Sequence, residues 1–124
     1  MMTICVKEAG VKGRGVFAAR DFKKNETIET CHMIVLSRKE RSAIRPTKLD
    51  NYYYDWGAGE RGGAIALGFG SLYNHSYSPN AVFKKDFKKN ILSFVAIKPI
   101  KKGEEIMVNY NGDPKDQTRV WFDR

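Results

Sequence analysis

The chain breaks into short runs of β-favouring residues, each closed by glycine or by a lysine-rich turn. Apolar residues do not recur at helical spacing over any long stretch, which argues against a helical bundle and for a mostly β fold. Ile4, Val6 and Glu8 mark a first strand. A turn from Gly10 to Gly15 leads to a second strand, Val16 to Ala19. Thr27 to Leu36 is a long, β-branched and mostly apolar run, and Tyr52 to Trp56 is an aromatic strand ended by Gly57-Ala58-Gly59. Gly63 to Gly68 is short and apolar, and Ser71 to Asn74 reads as one helical turn. Val82 to Lys85 and Ile91 to Ile97 make a hairpin around Lys88-Lys89-Asn90, and Ile106 to Tyr110 is the last strand. Ser37 to Leu49, polar with one proline, reads as a variable connection.

One segment echoes another. Phe22-Lys23-Lys24-Asn25-Glu26-Thr27-Ile28 resembles Ile100-Lys101-Lys102-Gly103-Glu104-Glu105-Ile106. Two copies do not make a repeat protein. Shared turn chemistry accounts for them, since Asn25 and Gly103 both tolerate positive φ.

At 124 residues the chain suits one compact domain with a small core. No run is long and apolar enough to span a membrane, and the N-terminus lacks the apolar stretch of a secretion signal. An intracellular protein is expected. Cys5 and Cys31 are too few for a disulfide scaffold and are not a C-x-x-C pair; both read as buried core thiols. No metal site is expected. The net charge of +8 favours polyanionic partners, but its clusters, such as Lys23-Lys24, Lys88-Lys89 and Lys101-Lys102, fall in predicted turns. Solvated turn lysines and non-specific nucleic-acid contact are both open readings.

Five groups of residues could carry chemistry. Gly13 and Gly15 let backbone approach a ligand closely, although two glycines in a basic loop are ordinarily only a turn. Neither a dinucleotide-binding nor a P-loop fingerprint is present. Asn74-His75 is by itself a polar turn, and Tyr110 by itself a strand-end tyrosine. Alternation sends Tyr52, Tyr54 and Trp56 to one face and Tyr53 to the other. The aromatic pair Trp121-Phe122 closes the chain.

In order, these segments resemble the signature of the SET domain, the lysine methyltransferase fold. The residues that carry the resemblance are Lys12-Gly13-Arg14-Gly15-Val16-Phe17, the run LGFGSLYNHSYSPNA from Leu67 to Ala81, and Gly103-Glu104-Glu105-Ile106 followed by Tyr110. The chain is similar to the minimal stand-alone members, of the small chlorella-virus type. The resemblance implies a β-clip type SET fold: several small curved sheets with a C-terminal pseudoknot-like threading near Asn74-His75. It implies a single SET domain over 1–124, with a core from 7 to 110 and a closing segment over 111–124.

The activity so implied is S-adenosyl-L-methionine-dependent methyl transfer to the ε-amine of a protein lysine, with S-adenosyl-L-homocysteine as product. The implied substrate is a basic lysine-containing tail, with histone leading. The cofactor would be held by Lys12, Gly13, Arg14, Gly15, Asn74, His75 and Tyr110, with Trp121 (or alternatively Phe122) stacking near the adenine. His75 would lock the loop rather than transfer protons. Tyr110 would be the catalytic residue. The substrate channel would use Tyr52, with Tyr54 in reserve, and Phe83 and Val108 beside the target amine. Neither Phe83 nor Val108 has a hydroxyl, which implies addition of more than one methyl group. A homodimer that completes the substrate groove is compatible with the family. The location implied is the nucleus or chromatin for a eukaryotic source or host, and otherwise the cytoplasm. Two competing readings are a catalytically inert SET-like module that binds peptide or chromatin, and a small basic β domain that binds nucleic acid.

Overall fold

The computed structural model describes residues 2–120. The strands are β1 (Ile4–Glu8), β2 (Arg14–Ala18), β3 (Thr27–Leu36), β4 (Tyr53–Trp56), β5 (Gly62–Ala66), β6 (Asn74–His75), β7 (Ala81–Asp86), β8 (Ile91–Ala96) and β9 (Glu105–Val108). They form a four-stranded sheet in the order β1-β2-β9-β6 and a five-stranded sheet in the order β4-β5-β3-β8-β7. The mostly β expectation is met. Burial along β8 alternates, with Leu92, Phe94 and Ala96 inaccessible and their neighbours partly exposed. Val16, Phe22, Ile100, Ile106 and Val108 join them in the core. Each large apolar side chain so buried contributes about 1.5–3 kcal/mol.

Three local expectations are corrected. The stretch read as a variable connection contains a helix, α1 (Arg38–Ile44), opened by Ser37. Ser37 Oγ accepts from the Glu40 N–H, and the Glu40 carboxylate accepts from the Ser37 N–H. This reciprocal pair satisfies two amide donors that a helix start leaves open. Residues 71–74 form no helical turn; a turn closes at Leu72, and Asn74-His75 instead pairs with β9 in parallel, opposite Met107 and Val108. A tertiary partner thus overrides the local signal. Cys31 is buried, as expected, but Cys5 is only partly so.

The two echoing segments hold each other. Phe22 and Ile100 form an isolated antiparallel bridge, each donating its N–H to the other's carbonyl, at 2.7 and 2.9 Å. The hydrogen bonds around that bridge come in matched pairs. Asn25 donates to Ala96 and Gly103 to Ala18; Ala96 donates to Glu26 and Ala18 to Glu104. Strand pairing follows suit, with Thr27 opposite Val95 and Glu105 opposite Phe17. Asn25 and Gly103 both take positive φ, 73° and 92°. The β2–turn–β3 unit and the β8–turn–β9 unit are therefore related by a local pseudo-twofold that passes through the Phe22–Ile100 bridge.

β9 lies between β2 and β6, beneath the loop that joins β6 to β7. Asn80 fixes that loop to β9: its amide donates to the Glu105 carbonyl and its Oδ1 accepts from the Met107 N–H. Beyond Tyr110 the chain folds back over the same loop, where Gln117 donates to the Tyr77 carbonyl and the Val120 N–H to the Tyr77 hydroxyl. The C-terminal segment thus packs on the β6–β7 loop, close to Asn74-His75.

Candidate active site

Two clefts share Tyr110 as a lining residue. The first encloses about 860 Å³ and is lined by Lys12, Gly13, Arg14, Leu72, Asn74 and His75, among others. The second encloses about 430 Å³ and includes Arg41, Tyr53, Tyr54, Tyr73, Phe83 and Lys85. Asn51, Tyr52, Ser71 and Tyr110 border both.

The glycine loop shapes the larger cleft. Gly13 takes φ 76°, which only glycine adopts without strain, and swings the chain into β2. Gly15 is buried for a different reason: a Cβ there would collide with the Glu105 carboxylate and come within 2.8 Å of the Asn74 amide nitrogen. That amide donates to the Glu105 carboxylate at 2.7 Å and to the Arg14 carbonyl at 3.0 Å. Strand β9, loop and Asn74 are thus tied into one floor. The cleft's size is that of a small-molecule site, and its lining, with the amides of Asn51 and Asn74, the Tyr52 and Tyr110 rings and the charges of Glu8, Lys12 and Arg14, suits a ligand with both a nucleoside and an amino-acid end.

Tyr110 is held from two directions. Its N–H donates to His75 Nδ1 at 3.0 Å, and its hydroxyl donates to the Tyr73 carbonyl at 2.6 Å. The His75 ring is buried against those of Tyr110 and Tyr77, with centroids at 5.2 and 4.3 Å. A histidine that accepts from a backbone amide is a structural brace, which supports the locking role. Burial pushes the Tyr110 phenol up to about 12, with help from the Tyr52 phenol and the Glu105 carboxylate. The group remains a neutral phenol at physiological pH.

The smaller cleft is aromatic-walled. Tyr54 donates to the Gly70 carbonyl at 2.6 Å and meets Phe83 edge-on at 5.4 Å. Burial drives the Tyr54 and Tyr73 phenols well above the usual tyrosine range. On the rim, Arg41 pairs with Asp55 at 2.7 Å and Lys85 with Glu60 at 2.9 Å, while Asp50 faces the same opening.

The structure brings together Lys12, Gly13, Arg14, Gly15, Asn74, His75, Tyr110, Tyr52, Tyr54 and Phe83. It does not bring Val108 into either cleft; that side chain is fully buried in β9. Tyr52 is not on the aromatic strand but in the turn before it, at φ −124° and ψ 0°, so the simple alternation fails there. Tyr54 and Trp56 do face inward, while Tyr53 stacks under Arg41 on the other side. Trp121 and Phe122 lie outside the described residues.

Sequence reasoning missed Glu29. Its carboxylate accepts from the Tyr73 hydroxyl at 2.7 Å and from the Phe69 N–H at 2.9 Å, anchoring the loop whose carbonyl receives Tyr110. A carboxylate in a run of apolar strand residues was the available signal. Arg41 was missed as well. It reaches from α1 to the Tyr53 hydroxyl and to the carbonyls of Glu60, Arg61 and Gly62.

Comparison with known proteins agrees with this geometry. Residues 13–111 match the family model described as the SET domain. A Schizosaccharomyces pombe protein described as a histone-lysine N-methyltransferase specific for H3 lysine 37 is 34% identical over 119 residues, spanning 95% of this chain and 76% of its own length. A Plasmodium falciparum structure, solved as that of a proposed histone methyltransferase, superposes with a TM-score of 0.72 at 29% identity and covers 98% of both chains. The fold also recurs in an autoinhibited, S-adenosylmethionine-bound ctPRC2 structure, with a TM-score of 0.73 at 22% identity over 87% of this chain and 15% of that one. The chain therefore belongs to the SET-domain family, the S-adenosylmethionine-dependent protein-lysine methyltransferases.

Proposed function

We propose that the larger cleft takes S-adenosylmethionine, that the smaller one takes a lysine side chain of a histone tail, and that Tyr110 governs transfer where they meet. The carrying observation is that Tyr52, Ser71 and Tyr110 border both clefts. When bound, the cofactor supplies an electrophilic methyl group on a sulfonium. Lys12, Gly13, Arg14, Asn74 and His75 hold it, and Gly15 leaves room for the Asn74 amide.

The acceptor amine must shed a proton before it can attack. A free lysine has a pKa of about 10.4, so deprotonation at pH 7 costs about 4.6 kcal/mol. An apolar channel walled by Tyr54, Tyr73 and Phe83 lowers that cost by disfavouring the ammonium form. Tyr110 is too weak an acid in its folded site to serve as a base near pH 7. Its hydroxyl oxygen, fixed by donation to the Tyr73 carbonyl, orients the reacting groups and stabilises developing charge. At the mouth of that cleft Asp55 is taken up by Arg41, so Asp50, beside Arg45 and Lys85, is the carboxylate that would meet the rest of a basic peptide. Work at chromatin, in the nucleus of the cell that holds the substrate, follows from that choice of partner.

Recombinant core histones, labelled cofactor and mass spectrometry test the proposal, with Tyr110→Phe as control. Methyl-lysine on a histone, falling at least about a hundred-fold in the folded variant, is expected. Cofactor binding without transfer to any histone would refute the substrate, and near-normal turnover by Tyr110→Phe would remove the tyrosine from its role.

A further inference from the structure

We propose that the pseudo-twofold clasp forms a second interaction surface, one that grips the phosphate backbone of duplex DNA. Segments 20–26 and 98–104 meet at the Phe22–Ile100 bridge and carry six cationic side chains against three carboxylates. Those carboxylates are committed to backbone. Glu26 accepts from the Lys23 N–H at 2.9 Å, Glu104 from the Lys101 N–H at 2.6 Å, and Asp21 from the Lys102 N–H at 2.8 Å. Arg20 is also engaged, paired with Glu26 and lying over the Phe22 ring. Lys23, Lys24, Lys98, Lys101 and Lys102 remain exposed, and none makes an ion pair among the described residues.

The arrangement favours a duplex over an acidic protein. Each lysine pair starts one residue beyond a bridge partner, so the pairs stand on either side of the local pseudo-dyad. A DNA duplex has dyads of its own, with antiparallel phosphate strands on either side, and protein twofolds commonly coincide with them. Lysine meets a phosphate as a point charge, which suits contact without base reading. None of these lysines borders either cleft, so the surface is separate from the methyl-transfer site. The proposal does not rest on the histone assignment, because DNA binding is measured without peptide or cofactor.

The test is fluorescence anisotropy of the whole chain with a labelled mixed-sequence duplex across a salt series. Four phosphate contacts give a log–log salt slope of about −3.6, or roughly a hundred-fold loss of affinity between roughly 50 and 200 mM salt. Lys23→Ala with Lys24→Ala, and Lys101→Ala with Lys102→Ala, should each remove about half of that slope. Lys88→Ala with Lys89→Ala, in the turn at the far end of β8, makes the same charge change away from the dyad and should have little effect. An equal loss in that control would overturn the proposal in favour of net charge alone. Poly-glutamate of matched charge bound as tightly as the duplex would overturn it in favour of an acidic protein partner.

Discussion

The Tyr110 hydroxyl donates to the main-chain carbonyl of Tyr73 at 2.6 Å, and the Tyr73 side chain in turn donates to Glu29 at 2.7 Å. The orientation of the Tyr110 phenol is thereby tied to a carboxylate on β3 that lines neither cleft.

Glu29→Ala would leave the Tyr73 hydroxyl and the Phe69 N–H without their acceptor. Two such donors cost about 2–6 kcal/mol together. Chemical denaturation should show that loss. In Glu29→Gln the carbonyl end retains one donor, so stability returns in part. If Glu29 positions Tyr110, turnover in the Gln variant falls several-fold while KM for the cofactor holds. Unchanged turnover in a folded Gln variant would contradict the relay.

Gly15→Ala drives a methyl group into the Glu105 carboxylate and the Asn74 amide. The floor of the larger cleft must shift, and cofactor affinity should fall about ten-fold or more, the equivalent of roughly 1.4 kcal/mol. Gly13→Ala meets nothing within 4 Å, so its cost is backbone strain alone, about 1–3 kcal/mol at φ 76° and ψ −131°. Calorimetric titration of both variants separates the two effects.

Phe83 borders the channel and offers no hydroxyl, and Val108 is withdrawn into the core. The space beside the amine should therefore admit a second or third methyl group. Phe83→Tyr should shift product towards monomethyl-lysine, as read by mass spectrometry of a peptide driven to completion. Monomethylation alone by the unmodified protein would refute the multiplicity, and an unaltered product ratio in the variant would free Phe83 from the role.

Alkaline pH should unfold this protein progressively. Burial raises the Cys31 thiol from 9.0 to about 12 and the Tyr110 phenol from 10.0 to about 12, and it raises Tyr54 and Tyr73 as well. Between the unfolded and folded values the unfolded chain binds fewer protons, so stability falls as pH rises. For Cys31 and Tyr110 the contribution is complete below about pH 9 and is lost by about pH 12, while that of Tyr54 and Tyr73 goes on declining above it. Denaturant midpoints against pH should show the decline, and Cys31→Ala should flatten its lower part. A flat profile up to pH 12 would show these groups to be ordinary.

That the glycine loop, Asn74-His75 and Tyr110 meet at one cleft was legible in the sequence from the fixed order in which those segments follow one another. Long-range consequences were not. Glu29 and Tyr73 are 44 residues apart, and no local pattern announces their hydrogen bond. Helix α1 was legible in principle from Ser37 and Glu40, but it has no buried residue and so no apolar stripe. Val108 misled because the resemblance places the residue two before Tyr110 beside the target amine. In fact β9 ends at Val108, its inward positions Ile106 and Val108 fill the core, and Tyr110 has already left the strand.

The matched hydrogen bonds around Phe22 and Ile100 tie the first third of the chain to its last third. Two strand–turn–strand units with the same hydrogen-bond pattern meet as a twofold interface within one chain. Between the two units lie the remainder of β3, the aromatic strand, the Asn74 loop and β7. The channel residues Tyr52, Tyr54 and Phe83 belong to that unmatched interval. The matched clasp thus holds the two sheets together, and the unmatched interval between its halves supplies most of the smaller cleft's wall, with Tyr110 reaching it from beyond the clasp.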